Sequence, residues 1–368
     1  VTIDPADLLA RPAAEATRLI ALGYLEDASA AATRLEDPKD EEALHDFRVA
    51  LRRLRSTLRA YRLELRASVR RGSRDRLGRI ADATNRSRDA DVALAWLRPL
   101  TSALTSGERV GLRELIERIE RRRDDVYEKT VDHVRRSFTK TAKRLRKRLG
   151  EYRQAVQPAA ADGTPAGFAT IAAAAVTEHA ADLGQRLAEV HSPDQFDEVH
   201  AARIAAKRLR YLLEPLGAQV PDGATLVRKL RELQDLLGGL CDTQVLAMEV
   251  EAAVTAAGAV RARRLFDLEL ADVDASERRK AARASNERPG LLAVARRLRA
   301  RRAALFTRLQ TPWLRPAGAQ FVRDVESAAR GIALPPPAAP PAVPVPAPDA
   351  RPQRGPGSRW RRTAGEPR

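Results

Sequence analysis

His45-Asp-Phe-Arg48-Val-Ala-Leu-Arg52-Arg53-Leu-Arg55 and His200-Ala-Ala-Arg203-Ile-Ala-Ala-Lys207-Arg208-Leu-Arg210 are two versions of one segment. They lie 155 residues apart (200 − 45) and align without a gap. Seven residues before each histidine stands a proline behind a capping side chain, Asp37-Pro38 and Ser192-Pro193. A second pair follows at an offset of 153 (230 − 77): Leu77 to Asp82 with Asp89-Ala-Asp-Val92, against Leu230 to Asp235 with Asp242-Thr-Gln-Val245. A bias towards Leu and Arg does not place His, Pro and Asp at matched positions. The chain therefore reads as two related halves, 1–157 and 168–333, expected to pack about a pseudo-twofold axis.

On a helix of about 100° per residue, Phe47, Ala50, Leu51, Leu54, Leu58 and Tyr61 share one side. His45, Arg48, Arg52, Arg55 and Arg59 share the other, with Arg53 at the edge. The second copy repeats the split: Ala202, Ala206, Leu209 and Leu213 are apolar, His200, Arg203, Lys207 and Arg210 basic, and Arg208 stands apart. Like charges at such spacings cost roughly 0.2–0.5 kcal/mol per exposed pair. Within 45–62 the only acid is Asp46, and within 200–213 there is none. A ladder of guanidiniums every ~4.5–6 Å along a helix suits a chain of phosphates, which Arg grips in a bidentate fork. The alternative is a solvated face paired with acids from other helices. The two histidines fit anion donors best, since a nearby anion favours imidazolium. Neither has a second His or Cys at metal-ligand spacing, and a structural histidine is the competing reading.

A third basic run supplies Arg136, Lys140, Lys143 and Lys147 on one face, with Val134, Phe138, Leu145, Leu149 and Tyr152 as its apolar seam. Arg296 to Arg302 resemble it less regularly. Asp82, Asp89, Asp235 and Asp242 are expected to cap helices or hold Arg side chains; Mg²⁺ binding and acid/base chemistry are the weaker readings.

Composition fits this picture. Of 368 residues, 44% are hydrophobic and 31% charged, and aromatics reach only 4%. Ala, Leu, Arg and Glu, all strong helix formers, dominate 1–334, and no run of alternating β-branched residues calls for strands. The expected fold is all-α, two pseudo-symmetric antiparallel helical bundles with a basic central groove. Asp4-Pro5, Asp37-Pro38 and Ser192-Pro193 mark helix starts; Gly72, Gly107, Gly150 and Gly163/Gly167 mark breaks. Residues 334–368 are set apart: 335–368 hold 11 of the 23 prolines, and an extended, disordered tail is expected.

The formal charge is +17, of which the tail carries +4 (six Arg less Asp349 and Glu366). Such a balance implies a polyanionic partner. No apolar run approaches the ~18 residues of a membrane span. No basic region followed by an apolar core opens the sequence, so no secretory signal is expected. The single Cys241 excludes an internal disulfide and a multi-cysteine metal site, which favours a reducing cytoplasm. No Gly-rich phosphate loop of the G-x-x-x-x-G-K-[ST] kind occurs. No catalytic residue, cofactor or metal is expected.

The patterns His45-x-x-Arg48-Val-x-x-Arg52-Arg53-Leu-Arg55, Arg88-Asp89-x-Asp91-Val92, His200-x-x-Arg203-Ile-x-x-Lys207-Arg208-Leu-Arg210-Tyr211 and Leu233-Gln234-Asp235-x-Leu237-Gly238 with Asp242 occur in this order. Together they resemble the CHAD domain, the conserved histidine α-helical domain, over most of residues 10–315. The resemblance implies two helical bundles around a basic surface or channel that binds inorganic polyphosphate, and a protein associated with polyphosphate granules. It places His45, Arg48, Arg52, Arg55, His200, Arg203, Lys207 and Arg210 on the polyanion surface. Two departures stand out. Cys241 occupies the position of Arg88, and the Glu-x-Glu-x-Lys strand of the triphosphate-tunnel domain that often accompanies such a unit has no counterpart. The resulting expectation is a non-enzymatic, cytoplasmic polyphosphate binder, with protein partners unknown. Its candidate contacts are His45, Arg48, Arg52, Arg53, Arg55, Arg59, Arg136, Lys140, Lys143, Lys147, His200, Arg203, Lys207, Arg208 and Arg210. An RNA- or DNA-binding protein using the same basic surface is the alternative, although it would want stacking aromatics, and only Tyr211 lies near a stripe.

Overall fold

The computed structural model describes residues 8–37, 40, 42–151, 167–271, 274–283, 287–314 and 316–333. The expected tail, the Asp4-Pro5 start, Gly163 and the expected junction between the halves (158–167, save Gly167) lie outside them. The described elements are helices: α1 (Ala13–Arg34), α2 (Ala43–Ala60), α3 (Arg71–Leu97), α4 (Ser106–Gly150), α5 (Phe168–Glu189), α6 (Phe196–Leu213), α7 (Gly223–Leu270), α8 (Ala275–Arg283), α9 (Arg288–Trp313) and α10 (Ala317–Ala333), with short 3₁₀ turns at Arg98–Ala103 and Glu214–Leu216. No strand occurs among the described residues; an isolated bridge joins Pro12 and Gly167. With the bond from Phe168 N–H to the Arg11 carbonyl at 2.9 Å, it sets the starts of α1 and α5 side by side. Among the described residues no helix is long and apolar enough to cross a membrane.

The apolar sides read from sequence are the buried ones. Phe47, Leu51, Leu54, Leu58 and Tyr61 are at most 2% exposed, as are Ala202, Ala206, Leu209 and Leu213. Each fully buried Leu or Phe contributes roughly 1.5–3 kcal/mol. The Phe47 ring also meets Phe138 of α4 edge-on at 4.9 Å. Small residues on α6 let it lie close to its neighbours α5, α7 and α2. The glycines fall at helix ends as expected: Gly72 and Gly107 open α3 and α4, Gly150 closes α4, and Gly167 precedes α5.

The helices do not start where the capping pairs suggested, and Pro38 itself lies outside the described residues. α2 begins at Ala43, and Asp40 rather than Asp37 accepts from its first N–H, at 3.0 Å. α6 begins at Phe196; Ser192 Oγ accepts from Asp194 N–H within a preceding turn, and Gln195 Oε1 accepts from the N–H groups of His191 and Ser192. At α2 a side chain nearer the helix, Asp40, takes the first orphan donor; at α6 no side chain caps the first turn, and the polar bonds hold the turn that precedes it. α4 starts on a reciprocal box of Thr105 and Glu108.

Two apolar clusters form. The larger takes in both halves of the chain, from α1 and α2 through α6, α10 and the first parts of α3 and α7. The smaller lies further along α3 and α7, against the first parts of α4 and α9. On α3 the larger cluster ends at Ala81 and the smaller begins at Ala90; on α7 the corresponding residues are Cys241 and Leu246. Mostly polar residues occupy the intervals, 82–89 and 242–245, and several of them line a cavity.

The smaller cluster depends on one close crossing. At Gly111 of α4 and Gly290 of α9 the backbones touch, and a methyl group at Gly111 would run into the Glu287 carbonyl, one at Gly290 into the Glu108 carbonyl. Backbone cannot yield as a flexible side chain does. We expect Gly111→Ala or Gly290→Ala to lower stability by about 2–3 kcal/mol or more. Urea unfolding followed by circular dichroism would measure it, and a loss under about 0.5 kcal/mol, the scale of a neutral surface change, would contradict the close crossing.

Candidate functional site

The two repeated helices face a common cavity of about 980 Å³, walled by α2, α3, α6 and α7. α2 contributes Arg48, Arg52, Arg55 and Arg59; α6 contributes His200, Arg203, Lys207 and Arg208. α3 and the segment before it add Arg62, Arg71, Arg74, Arg79 and Arg88. The floor is apolar, with Leu51, Leu58 and Leu77 among its residues. Eleven Arg and one Lys line the space against four carboxylates, Asp75, Asp82, Asp89 and Asp242, a surplus of eight positive charges (12 − 4).

Most of these cations lack a direct partner. Arg71 reaches Asp75 at 3.9 Å and Arg208 reaches Asp182 at 3.9 Å. Among the described residues no carboxylate lies within 4 Å of Arg48, Arg52, Arg55, Arg203 or Lys207. Arg52 Nε and Arg203 Nε are buried without a hydrogen-bond acceptor. Two guanidiniums lie over glycines: a methyl at Gly78 would be in ordinary contact with Arg55 Nη2 at 3.7 Å, and one at Gly238 with Arg203 Nε at 3.4 Å.

Burial and crowding work against these charges. Arg48 is only 7% exposed, and among the described residues it is the one fully buried charged side chain. Burial, with Arg52 and Arg88 nearby, brings its pKa down to about 10. Burial also lowers Arg52, which faces Arg88, Arg203 and Arg210. Lys207 is affected most: desolvation, then Arg203, Arg52 and Arg88, push it down to about 6. His200 is lowered by burial and by Arg203 and Lys207. Desolvation raises Asp89, and Asp242 opposite adds to the rise. Asp82 steadies the charge on Arg55. None of these aspartates caps a helix. Asp82 and Asp89 lie inside α3, Asp235 and Asp242 inside α7, and Asp235 is exposed outside the cavity.

The candidate residues divide into those that meet and those that do not. Arg48, Arg52, Arg55, Arg59, His200, Arg203, Lys207 and Arg208 converge on the cavity. His45 is exposed and does not line it. The Phe196 ring packs against His200 at 6.0 Å; the matching position in the first half of the sequence is Glu41, which offers no ring. Arg53 and Arg210 are held elsewhere, each 3.0 Å from Glu214, whose carboxylate is 8% exposed and also draws Arg231 to 3.4 Å. Arg210 further lies over the Tyr211 ring at 4.7 Å. These two cations fasten α2 to α6 and are not part of the cavity lining. Arg136 and Lys140 line a different groove, between α3 and α4. Lys143 and Lys147 line neither space, and Lys147 pairs with Glu151 at 3.6 Å.

Five cavity arginines, Arg62, Arg71, Arg74, Arg79 and Arg88, were not among the sequence candidates. Residues 70–79 carry five Arg against Asp75 alone. That density is the signal that could have found three of them, Arg71, Arg74 and Arg79, but it is not repeated in the second half. The cavity can hold a linear polyanion: it has forked donors on three sides, few competing acids and an apolar floor that keeps water from screening them.

A crystal structure of the CHAD domain from the plant Ricinus communis is similar in fold. The TM-score is 0.52 at 20% identity, over 89% of this chain and 94% of that one. No curated protein matches the chain. The family model of the CHAD domain matches residues 20–251, from within α1 to α7 and across every wall of the cavity, and with the all-helical fold this makes the chain a member of the CHAD domain family.

Proposed function

We propose that the protein binds inorganic polyphosphate in the cavity between α2, α3, α6 and α7, without turning it over, as a cytoplasmic factor associated with polyphosphate granules. The observation that carries this reading is the cluster of Arg48, Arg52, Arg55, Arg203 and Lys207. These groups are crowded and desolvated, and among the described residues no carboxylate lies within 4 Å of them. A chain of phosphates supplies the missing anions and accepts the idle N–H donors through charge-assisted hydrogen bonds. Family membership supports the same ligand class.

Nucleic acid would use the same charge but needs rings to stack on or base edges to read. Two rings border the cavity, but Tyr211 is 4% exposed with Arg210 over it, and Phe196 packs against His200 at 6.0 Å. So little free ring surface favours the polymer without bases.

Counterion release, established for nucleic acids, applies by the same logic to polyphosphate. Binding through six or more of these cations should weaken by about 10³-fold or more between 50 and 200 mM salt. Salt-titrated calorimetry with polyphosphate, RNA and DNA tests the reading directly. A nearly flat salt response would remove the cavity from consideration. Displacement of polyphosphate by RNA at equal charge concentration would make nucleic acid the preferred ligand.

A further inference from the structure

A second basic groove, of about 380 Å³, runs between α3 and α4. Its cations are Arg76 and Arg79 on α3 and Arg136, Lys140 and Arg144 on α4, His133 stands beside them, and among the described residues no carboxylate lines it. Positions 133, 136, 140 and 144 follow the i, i+3, i+7, i+11 line of one helix face, a span of roughly 16 Å along the axis. Arg136 is paired with Asp132 at 2.6 Å. Among the described residues no carboxylate lies within 4 Å of Arg76, Arg79, Lys140 or Arg144. Arg79 lines this groove and the central cavity alike. The two basic spaces therefore lie on either side of one residue of α3.

We propose that this outer groove is a second polyphosphate subsite, which takes the part of a long polymer that leaves the cavity past Arg79 and so makes the protein prefer long chains to short ones. The inference rests on the cavity reading above and extends it. A short oligophosphate fills the cavity and ends there. A long polymer enters the groove as the same molecule, so its second contact is intramolecular and strengthens binding through effective concentration. At physiological salt, exposed charges further away than about 8 Å are screened, so Lys140 and Arg144 act on what lies in the groove.

The test compares tripolyphosphate with long-chain polyphosphate on the full chain, with and without Lys140→Glu/Arg144→Glu, at physiological ionic strength. Both side chains are exposed, and circular dichroism checks that helix content is kept. Tripolyphosphate affinity should stay within about twofold, while long-chain affinity falls by about tenfold or more. An unchanged ratio of long-chain to tripolyphosphate affinity overturns the subsite and leaves the cavity reading intact; a parallel loss for both ligands overturns it equally. A wild-type protein that binds neither ligand overturns the cavity reading itself, and the subsite with it.

Discussion

Arg52→Glu combined with Lys207→Glu will abolish polyphosphate binding and leave the helical fold in place. The two side chains enter the cavity from α2 and α6, on opposite repeats, and each counts the other among its crowding cations or shares Arg88 and Arg203 with it. A hydrogen bond to a charged group is worth about 1.5–3 kcal/mol. Removing two such contacts costs roughly 3–6 kcal/mol, about 10²–10⁴ in affinity, before any repulsion from the new carboxylates is counted. The fold is expected to tolerate the change because its local sign is favourable: carboxylates placed beside Arg48, Arg88 and Arg203 add to the partial relief of like-charge crowding that Asp89 gives. Calorimetry for binding and thermal melts for stability give the two readouts. A folded double variant that binds within tenfold of wild type would put the polymer somewhere other than this cavity.

The repeated helices were legible because a 3.6-residue period exposes both their buried side and their charged side. Every apolar residue assigned to the inner face of α2 and α6 is buried. Which charges meet was less legible, since it depends on contacts far apart in sequence. Glu214 illustrates this. It lies one residue past the stretch 200–213, which contains no acid, and at the position that matches Arg59 in the first half (214 − 155). That substitution turns the end of the second stripe into an anchor for Arg53, Arg210 and Arg231. The first stripe, with Arg59 instead, keeps Arg55 and Arg59 in the cavity. Two stripes alike on a helical wheel thus play unequal parts. The wheel of α4 failed differently. Its basic residues were grouped about the line 136, 140, 143, 147, whereas the line that meets α3 is 133, 136, 140, 144, and a single helix does not reveal which flank its neighbour covers. The arginines of α3 are not part of the repeat: their counterparts at an offset of 153 include Ala224, Val227 and Glu232. Their place on the cavity wall follows from how α3 packs against α2 and α7, a property of the packed molecule alone.

Binding will also take up protons, and Lys207 is the group expected to receive one. In the empty cavity its pKa is about 6, through burial and the charges of Arg203 on its own helix, Arg52 on α2 and Arg88 on α3; Cys241 on α7 opposes them. At pH 7.5 the amine is therefore mostly neutral. A phosphate chain beside it stabilises the ammonium form and raises the pKa, so the bound state holds more protons than the free state between about pH 6 and the raised value. By linkage, affinity falls as pH rises through that window, by up to about tenfold per unit for one proton. Below pH 6 the dependence on Lys207 disappears, because the amine is already charged in both states. The same shift governs stability with the opposite sense. The unfolded chain protonates Lys207 below its ordinary pKa of about 10.4 while the folded chain does not until about 6, so the ligand-free protein gains stability as pH rises between these values. Calorimetry at pH 7.5 in buffers of different ionisation enthalpy will report the proton uptake, and long-chain polymer keeps the titration of chain ends small. Lys207→Met should bind more weakly, melt at a higher temperature than wild type near neutral pH, and lose most of the pH slope. A variant that keeps the wild-type proton uptake would assign the proton to another group, with His200, lowered by burial and by Arg203 and Lys207, the next to test. Weaker binding together with a more stable fold in one substitution is the signature of a buried amine kept in the cavity at the expense of stability, for the ligand it meets there.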